Sequence, residues 1–115
     1  MSGHTILVVE DDFVQRRQIV RVLEESGYRL FQASDGLEAI RLLGVRKMHL
    51  VLTDIRMPFV EGISLLKYIR IFFPHIPVVI ATAYPEEVEY FKPDALLCKP
   101  FGSDELISSV ERLIQ

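Results

Sequence analysis

The sequence predicts an α/β domain, a doubly wound parallel sheet of five strands with helices on both faces. Three observations carry this. Short segments at Thr5–Val9, Tyr28–Ala33, Leu50–Thr53, Pro77–Thr82 and Ala95–Lys99 are too brief for helices. All but the second are nearly continuous apolar runs, the pattern of strands buried on both faces in a parallel sheet. Amphipathic stretches of helical period lie between them. The connections are short, so strand–helix–strand units must cross over right-handedly and cover both faces of one sheet.

Thr5-Ile-Leu-Val-Val9 is the first strand, stopped by Glu10, Asp11 and Asp12. From Phe13 to Ser26 the apolar residues Phe13, Ile19, Val20, Val22 and Leu23 fall mostly at helical spacing, with Arg16, Arg17, Arg21, Glu24 and Glu25 as a solvated face. Asp12 can cap this helix and Gly27 can end it. After the second strand, Ser34-Asp35-Gly36 opens a helix with Leu37, Ile40, Leu42 and Leu43 as its buried stripe. The third strand, Leu50–Thr53, runs straight into Asp54 and a loop through Met57-Pro58-Phe59-Val60-Glu61-Gly62. A helix with Ile63, Leu66, Ile69 and Phe73 directed inward follows, stopped by Pro74 and Pro77. The last helix is capped by Ser103 and buries Leu106, Ile107, Val110, Leu113 and Ile114.

With 115 residues, 50% of them apolar and 25% charged, the chain has material for one core, and a single domain over 1–115 is expected. A formal charge of -3 gives no electrostatic reason to expect nucleic acid or an anionic membrane as partner. One cysteine, Cys98, excludes an internal disulfide and reads as a buried strand residue. His4, His49 and His75 have no zinc-ligand spacing, and the last two sit at the entry ends of strands. Neither a signal peptide nor a membrane span is visible, so a cytoplasmic protein is expected.

The polar residues at the strand ends converge. A parallel sheet delivers Glu10 and Asp11 from the first strand, Asp54 from the third, Thr82 from the fourth and Lys99 from the fifth to one rim, where open α/β sheets bind ligands. Each has an ordinary alternative: Asp54 can start a turn, Glu10 and Asp12 can cap the first helix, Thr82 can be a β-branched strand residue and Lys99 a solvated strand end. Together they make a site. Three carboxylates repel one another unless a cation lies among them, and oxygen ligands of this kind suit Mg2+. Lys99 adds a second positive charge and Thr82 a hydroxyl, the equipment for holding a phosphoryl group on Asp54.

The motifs Val9-Glu10-Asp11-Asp12, Thr53-Asp54-Ile55-Arg56-Met57-Pro58 with Gly62, Ala81-Thr82-Ala83 and Lys99-Pro100-Phe101 resemble, in this order and over nearly the whole chain, the receiver domain of two-component response regulators. The resemblance implies a flavodoxin-like strand order 2-1-3-4-5. It implies Asp54 as phospho-acceptor, Asp11 as a direct Mg2+ ligand, Glu10 acting through water and the main-chain carbonyl of Arg56 as a further ligand. Thr82 and Lys99 would bind the phosphoryl oxygens. The phosphodonor would be a sensor histidine kinase or a histidine phosphotransfer protein, and the domain an acceptor that loses its own phosphate rather than an enzyme acting on a separate substrate.

Two departures from that pattern stand out. The interval from Thr82 to Lys99 is short, and Pro85 and Pro93 bound a stunted fourth helix of at most about two turns. Leu96 stands three residues before the lysine, where such domains usually carry a Tyr or Phe that reorients on activation. These departures predict a monomer, and they leave open a receiver-shaped interaction module that signals without phosphate. A flavodoxin-like electron carrier is excluded by the acids after the first strand, where it needs a phosphate-binding loop. An aspartate-nucleophile phosphatase is excluded by Arg56, where it needs an acid.

Overall fold

The computed structural model describes residues 3–114. Five parallel strands, β1 (Thr5–Val9), β2 (Arg29–Ala33), β3 (Leu50–Thr53), β4 (Val78–Thr82) and β5 (Ala95–Cys98), form one sheet in the order β2-β1-β3-β4-β5. Four α-helices connect and close it: α1 (Phe13–Glu25), α2 (Gly36–Val45), α3 (Gly62–Phe72) and α4 (Ser103–Leu113). The central strands β1, β3 and β4 are buried at every position, as their apolar runs require. No described helix is long and apolar enough to cross a membrane.

The alternation of side chains along each strand divides the core in two. Leu7, Val9, Val51, Val78 and Ile80 meet Ala39 and Leu43 of α2 and Leu65, Leu66 and Ile69 of α3. Ile6, Val8, Leu52, Val79, Ala81 and Leu97 meet Ile19, Val20 and Leu23 of α1 and Leu106 and Val110 of α4. Of the expected stripes, Leu37 is 57% and Phe13 60% exposed, while Ala39 and Leu65, which lie outside those stripes, are fully buried. Ile63 and Phe73 only flank the core. Phe13 instead lies beside two guanidiniums, with Arg16 and Arg17 5.5 and 5.8 Å from its ring.

Between β4 and β5 the stunted helix is not an α-helix. Two three-residue 3-10 turns, Pro85–Glu87 and Glu89–Phe91, meet at buried Val88, and Lys92 ends the second in the left-handed region. The interval bounded by Pro85 and Pro93 leaves too few residues for the i to i−4 ladder to take hold, and the tighter i to i+3 turn forms instead. This short cover has a cost in burial. Leu96 is half-buried on the face of Val88 and Phe91, and Cys98, two residues on, is exposed rather than buried. The last helix is capped by Gly102, not Ser103, and Glu105 reaches back to the Gly102 amide at 3.4 Å.

Candidate functional site

Strand register sets the site. Val9 pairs with Thr53 and Thr82 with Cys98, so Glu10 and Asp54 leave adjacent strands at one level and Lys99 follows on the edge. The main chain ties these ends together: the Asp54 amide donates to Val9 O (3.1 Å) and the Lys99 amide to Thr82 O (2.8 Å). After Asp54 the chain turns sharply under α3. A Cβ on Gly62 would lie 2.1 Å from the Asp54 carbonyl oxygen and 2.6 Å from Ile55 Cα, so only glycine lets the helix begin this close to the acid.

Glu10, Asp11 and Asp54 each place a carboxylate oxygen within 4.8 Å of the others. Their settings differ. Glu10 is 2% exposed, while Asp11 is open to solvent. Asp54 Oδ1 accepts from the Ile55 amide at 2.6 Å, and Oδ2 accepts from Lys99 Nζ at 2.8 Å. Lys99 Nζ also donates to Glu10 Oε1 (2.6 Å) and Gln15 Oε1 (2.5 Å). The ammonium is thus held by three acceptors at the centre of the cluster.

Burial raises the Glu10 carboxyl above its ordinary value, against the lowering effect of the Lys99 hydrogen bond. Burial works against the Lys99 charge too, but hydrogen bonds to Asp54 and Glu10 outweigh it, and the lysine is held above its ordinary value. Three carboxylates around one ammonium leave two negative charges uncompensated. That is the charge of one divalent ion, and the donors are all oxygens, so the set fits a hard cation such as Mg2+.

Thr82 is fully buried at the end of β4, with its Oγ1 accepting from the Tyr84 amide at 2.9 Å. Arg56, two residues past Asp54, turns its side chain to Glu87, with Nη2 2.8 Å from Oε2. Asp12 caps α1 as expected, accepting from the Gln15 amide at 2.9 Å. Two contributors were not legible. Gln15 gave no signal beyond its place in the first turn of a helix capped at the rim. Arg16, read as part of a solvated face, instead donates to the Glu10 carbonyl at 2.7 Å and to Gln32 Oε1 at 3.1 Å, fixing the end of β1. A cleft of about 660 Å³ opens beside Lys99 between α1 and α4, lined by Gln15, Ile19, Val22, Phe101 and Leu106 among others.

Residues 6–111 match the family model of the response regulator receiver domain. The chain is 32% identical to sporulation initiation phosphotransferase F of Bacillus subtilis (strain 168), an alignment covering 99% of this chain and 96% of that protein. It is 35% identical to the DNA-binding transcriptional regulator NtrC of Escherichia coli (strain K12), covering 99% of this chain but 25% of the regulator. It therefore spans nearly all of the first relative and about a quarter of the second. Among solved structures, the receiver domain of the Francisella response regulator 1452 superposes with a TM-score of 0.89 at 34% identity, covering 97% of both chains. Response regulator TrrA of Thermotoga maritima, in complex with Mg(2+)-BeF, gives 0.88 at 30% identity, covering 96% of this chain and 98% of that one.

Proposed function

We propose that this chain, which belongs to the response regulator receiver family, takes a phosphoryl group onto Asp54 from a phosphohistidine and in that form changes a protein-binding face. The observation that carries this is Lys99 Nζ, 2.8 Å from Asp54 Oδ2 and 2.6 Å from Glu10 Oε1, inside a cluster of three carboxylates. An ammonium in that place steadies a carboxylate before transfer and can move to a phosphoryl oxygen after it, without being consumed.

In the transfer an Asp54 oxygen forms a bond to phosphorus in line with the breaking P–N bond, and the departing electron pair stays on the donor's imidazole, which then takes a proton. Asp54 needs no base, since it reacts as the carboxylate. The Ile55 amide orients Oδ1 and Lys99 orients Oδ2, so both oxygens are placed before the donor arrives. Asp11, Asp54 and the Arg56 carbonyl would hold Mg2+, with Glu10 behind them, and the ion would offset charge on the phosphoryl oxygens. Thr82, buried one strand away, supplies the hydroxyl for a phosphoryl oxygen. The donor is a sensor histidine kinase or a histidine phosphotransfer protein. It approaches the rim past exposed Phe13 and Val14 and the cleft beside Lys99.

Intact mass after incubation with acetyl phosphate tests this reading. One phosphate should be gained with Mg2+, none with a chelator, and none in Asp54→Asn. Labelling that persists in Asp54→Asn would remove Asp54 from the role.

A further inference from the structure

Four groups link the site to the short segment between β4 and β5. The Arg56 guanidinium donates to both oxygens of Glu87, from Nη2 at 2.8 Å and Nε at 3.4 Å. Its Cζ lies 3.6 Å from the centre of the Tyr84 ring. The Tyr84 amide donates to Thr82 Oγ1 at 2.9 Å. Among the described residues, Arg56–Glu87 is the ion pair that joins the loop after β3 to the 3-10 turns.

We propose that Tyr84, Arg56 and Glu87 form a clasp that reports the state of Asp54 to the segment Pro85–Phe91, closed when Asp54 is free and open when it carries a phosphoryl group. The inference rests on the reading of Asp54 as phospho-acceptor and adds to it a route outward.

Two forces act in the same direction on phosphorylation. A phosphoryl group brings more than one negative charge and three acceptor oxygens, and guanidinium pairs with such a group in preference to a single exposed carboxylate. Arg56 is two residues from that group and is drawn from Glu87. Thr82 Oγ1, in turning its hydroxyl to a phosphoryl oxygen, ceases to be placed for the Tyr84 amide, and the ring that supports Arg56 loses its anchor. The side chains of the pair are 57% and 40% exposed, so little else holds them.

The far end of the segment is fixed, which turns release into a directed motion. Arg70 of α3 donates to the carbonyls of Phe91 (2.6 Å) and Lys92, and the Lys67 ammonium lies 5.2 Å from the Phe91 ring. Val88, fully buried, separates the two turns and is the natural pivot. Only Pro85–Glu87 is left to swing. Arg56 and Glu87 also wall a cleft of about 430 Å³ with Ile55, Met57, Glu61 and Ile63, so opening the clasp removes one side of it. Leu96 has neither ring nor hydroxyl to couple, and the clasp supplies a connection that does not pass through it.

The test is residue-resolved amide hydrogen exchange on the full chain with Mg2+, with and without beryllium fluoride, while fluorine NMR reports bound fluoride. The Glu87 and Val88 amides close the first turn onto Tyr84 O (3.0 Å) and Pro85 O (3.1 Å), and those of Phe91 and Lys92 close the second. Bound fluoride should speed exchange at Glu87 and Val88 on the order of fivefold, the worth of an exposed ion pair with a stacked ring, and leave Phe91 and Lys92 unchanged. Glu87→Gln should show the faster exchange without fluoride and gain little more with it. Bound fluoride with unchanged exchange at Glu87 and Val88, or Glu87→Gln matching the wild type without fluoride, overturns the clasp and leaves the reading of Asp54 standing. Absence of bound fluoride in the wild type overturns that reading and the clasp with it.

Discussion

Gln15 Oε1 lies 2.5 Å from Lys99 Nζ, joining the first turn of α1 to the end of β5 across 84 residues of sequence. The amide is a neutral third acceptor, so it fixes the ammonium between Glu10 and Asp54 without adding negative charge to the cluster.

Gln15→Ala should therefore slow phosphorylation of Asp54 without abolishing it. A hydrogen bond to a charged group contributes roughly 1.5–3 kcal/mol, less when half-exposed, so a loss of about tenfold in rate is expected. Initial rates with acetyl phosphate at fixed Mg2+ are the measurement. A rate within about twofold of wild type would mean that Glu10 and Asp54 position Lys99 alone.

Gly62→Ala should destabilise the fold by about 2 kcal/mol or more, because its Cβ meets backbone atoms that cannot rotate away. Gly44→Ala is the matched control. It lies in α2 with open space around the position and should gain up to ~1 kcal/mol from helix propensity alone. Urea midpoints of the two variants should move in opposite directions at constant slope. A Gly62→Ala midpoint equal to wild type would show that the Asp54–Gly62 approach is looser than the distances state.

His49 makes stability depend on pH. Its Nδ1 accepts from the Thr5 amide at 2.9 Å, which requires the neutral ring. Burial, with His4 and Lys47 nearby, holds its pKa below the ordinary 6.5. The unfolded chain thus binds the proton more readily than the folded one, and this contribution to stability is complete above pH 6.5 and is lost as pH falls below it. His49→Asn keeps an acceptor near the same place without a titrating ring. Chemical denaturation at pH 7.5 and 5.5 should show a smaller pH difference in the variant. An equal difference would assign the loss to other groups.

Arg56 and Tyr84 stand two residues past Asp54 and Thr82, and each is a bulky side chain beside the site whether they are stacked, at 3.6 Å as in the free protein, or parted once Asp54 is phosphorylated. Hydrolysis of an acyl phosphate needs a water in line behind phosphorus, and neither side chain is a base that would activate it at neutral pH. Arg56→Asn and Tyr84→Ala should each shorten the life of the phosphorylated protein, by about tenfold, short of the hundredfold that a misplaced reactant can cost. Phosphate loss followed by intact mass decides. Equal lifetimes in all three proteins would place the control of hydrolysis elsewhere.

The amino-acid sequence is enough to specify the sheet, because a run such as Leu50–Thr53 has no polar face and can be buried only as a central strand. It also determined that Glu10, Asp11, Asp54, Thr82 and Lys99 stand at one rim, since parallel strands all end on the same side. The order β2-β1-β3-β4-β5 was legible through resemblance to known receivers, and the register confirms it. Which side chains touch is settled by the packing of the folded chain. Gln15 reaches Lys99 and Arg56 reaches Glu87 because separate connections carry those residues to neighbouring places, and nothing local to either residue marks its partner. Burial beyond the central strands was decided the same way. Leu37 and Phe13 have helical spacing toward the core yet lie at its margin, and Cys98 sits on an apolar edge strand that the 3-10 turns are too short to cover. Local pattern specifies which elements form and which way they run, whereas the reach of a side chain and the cover over a strand depend on the lengths of segments distant in sequence.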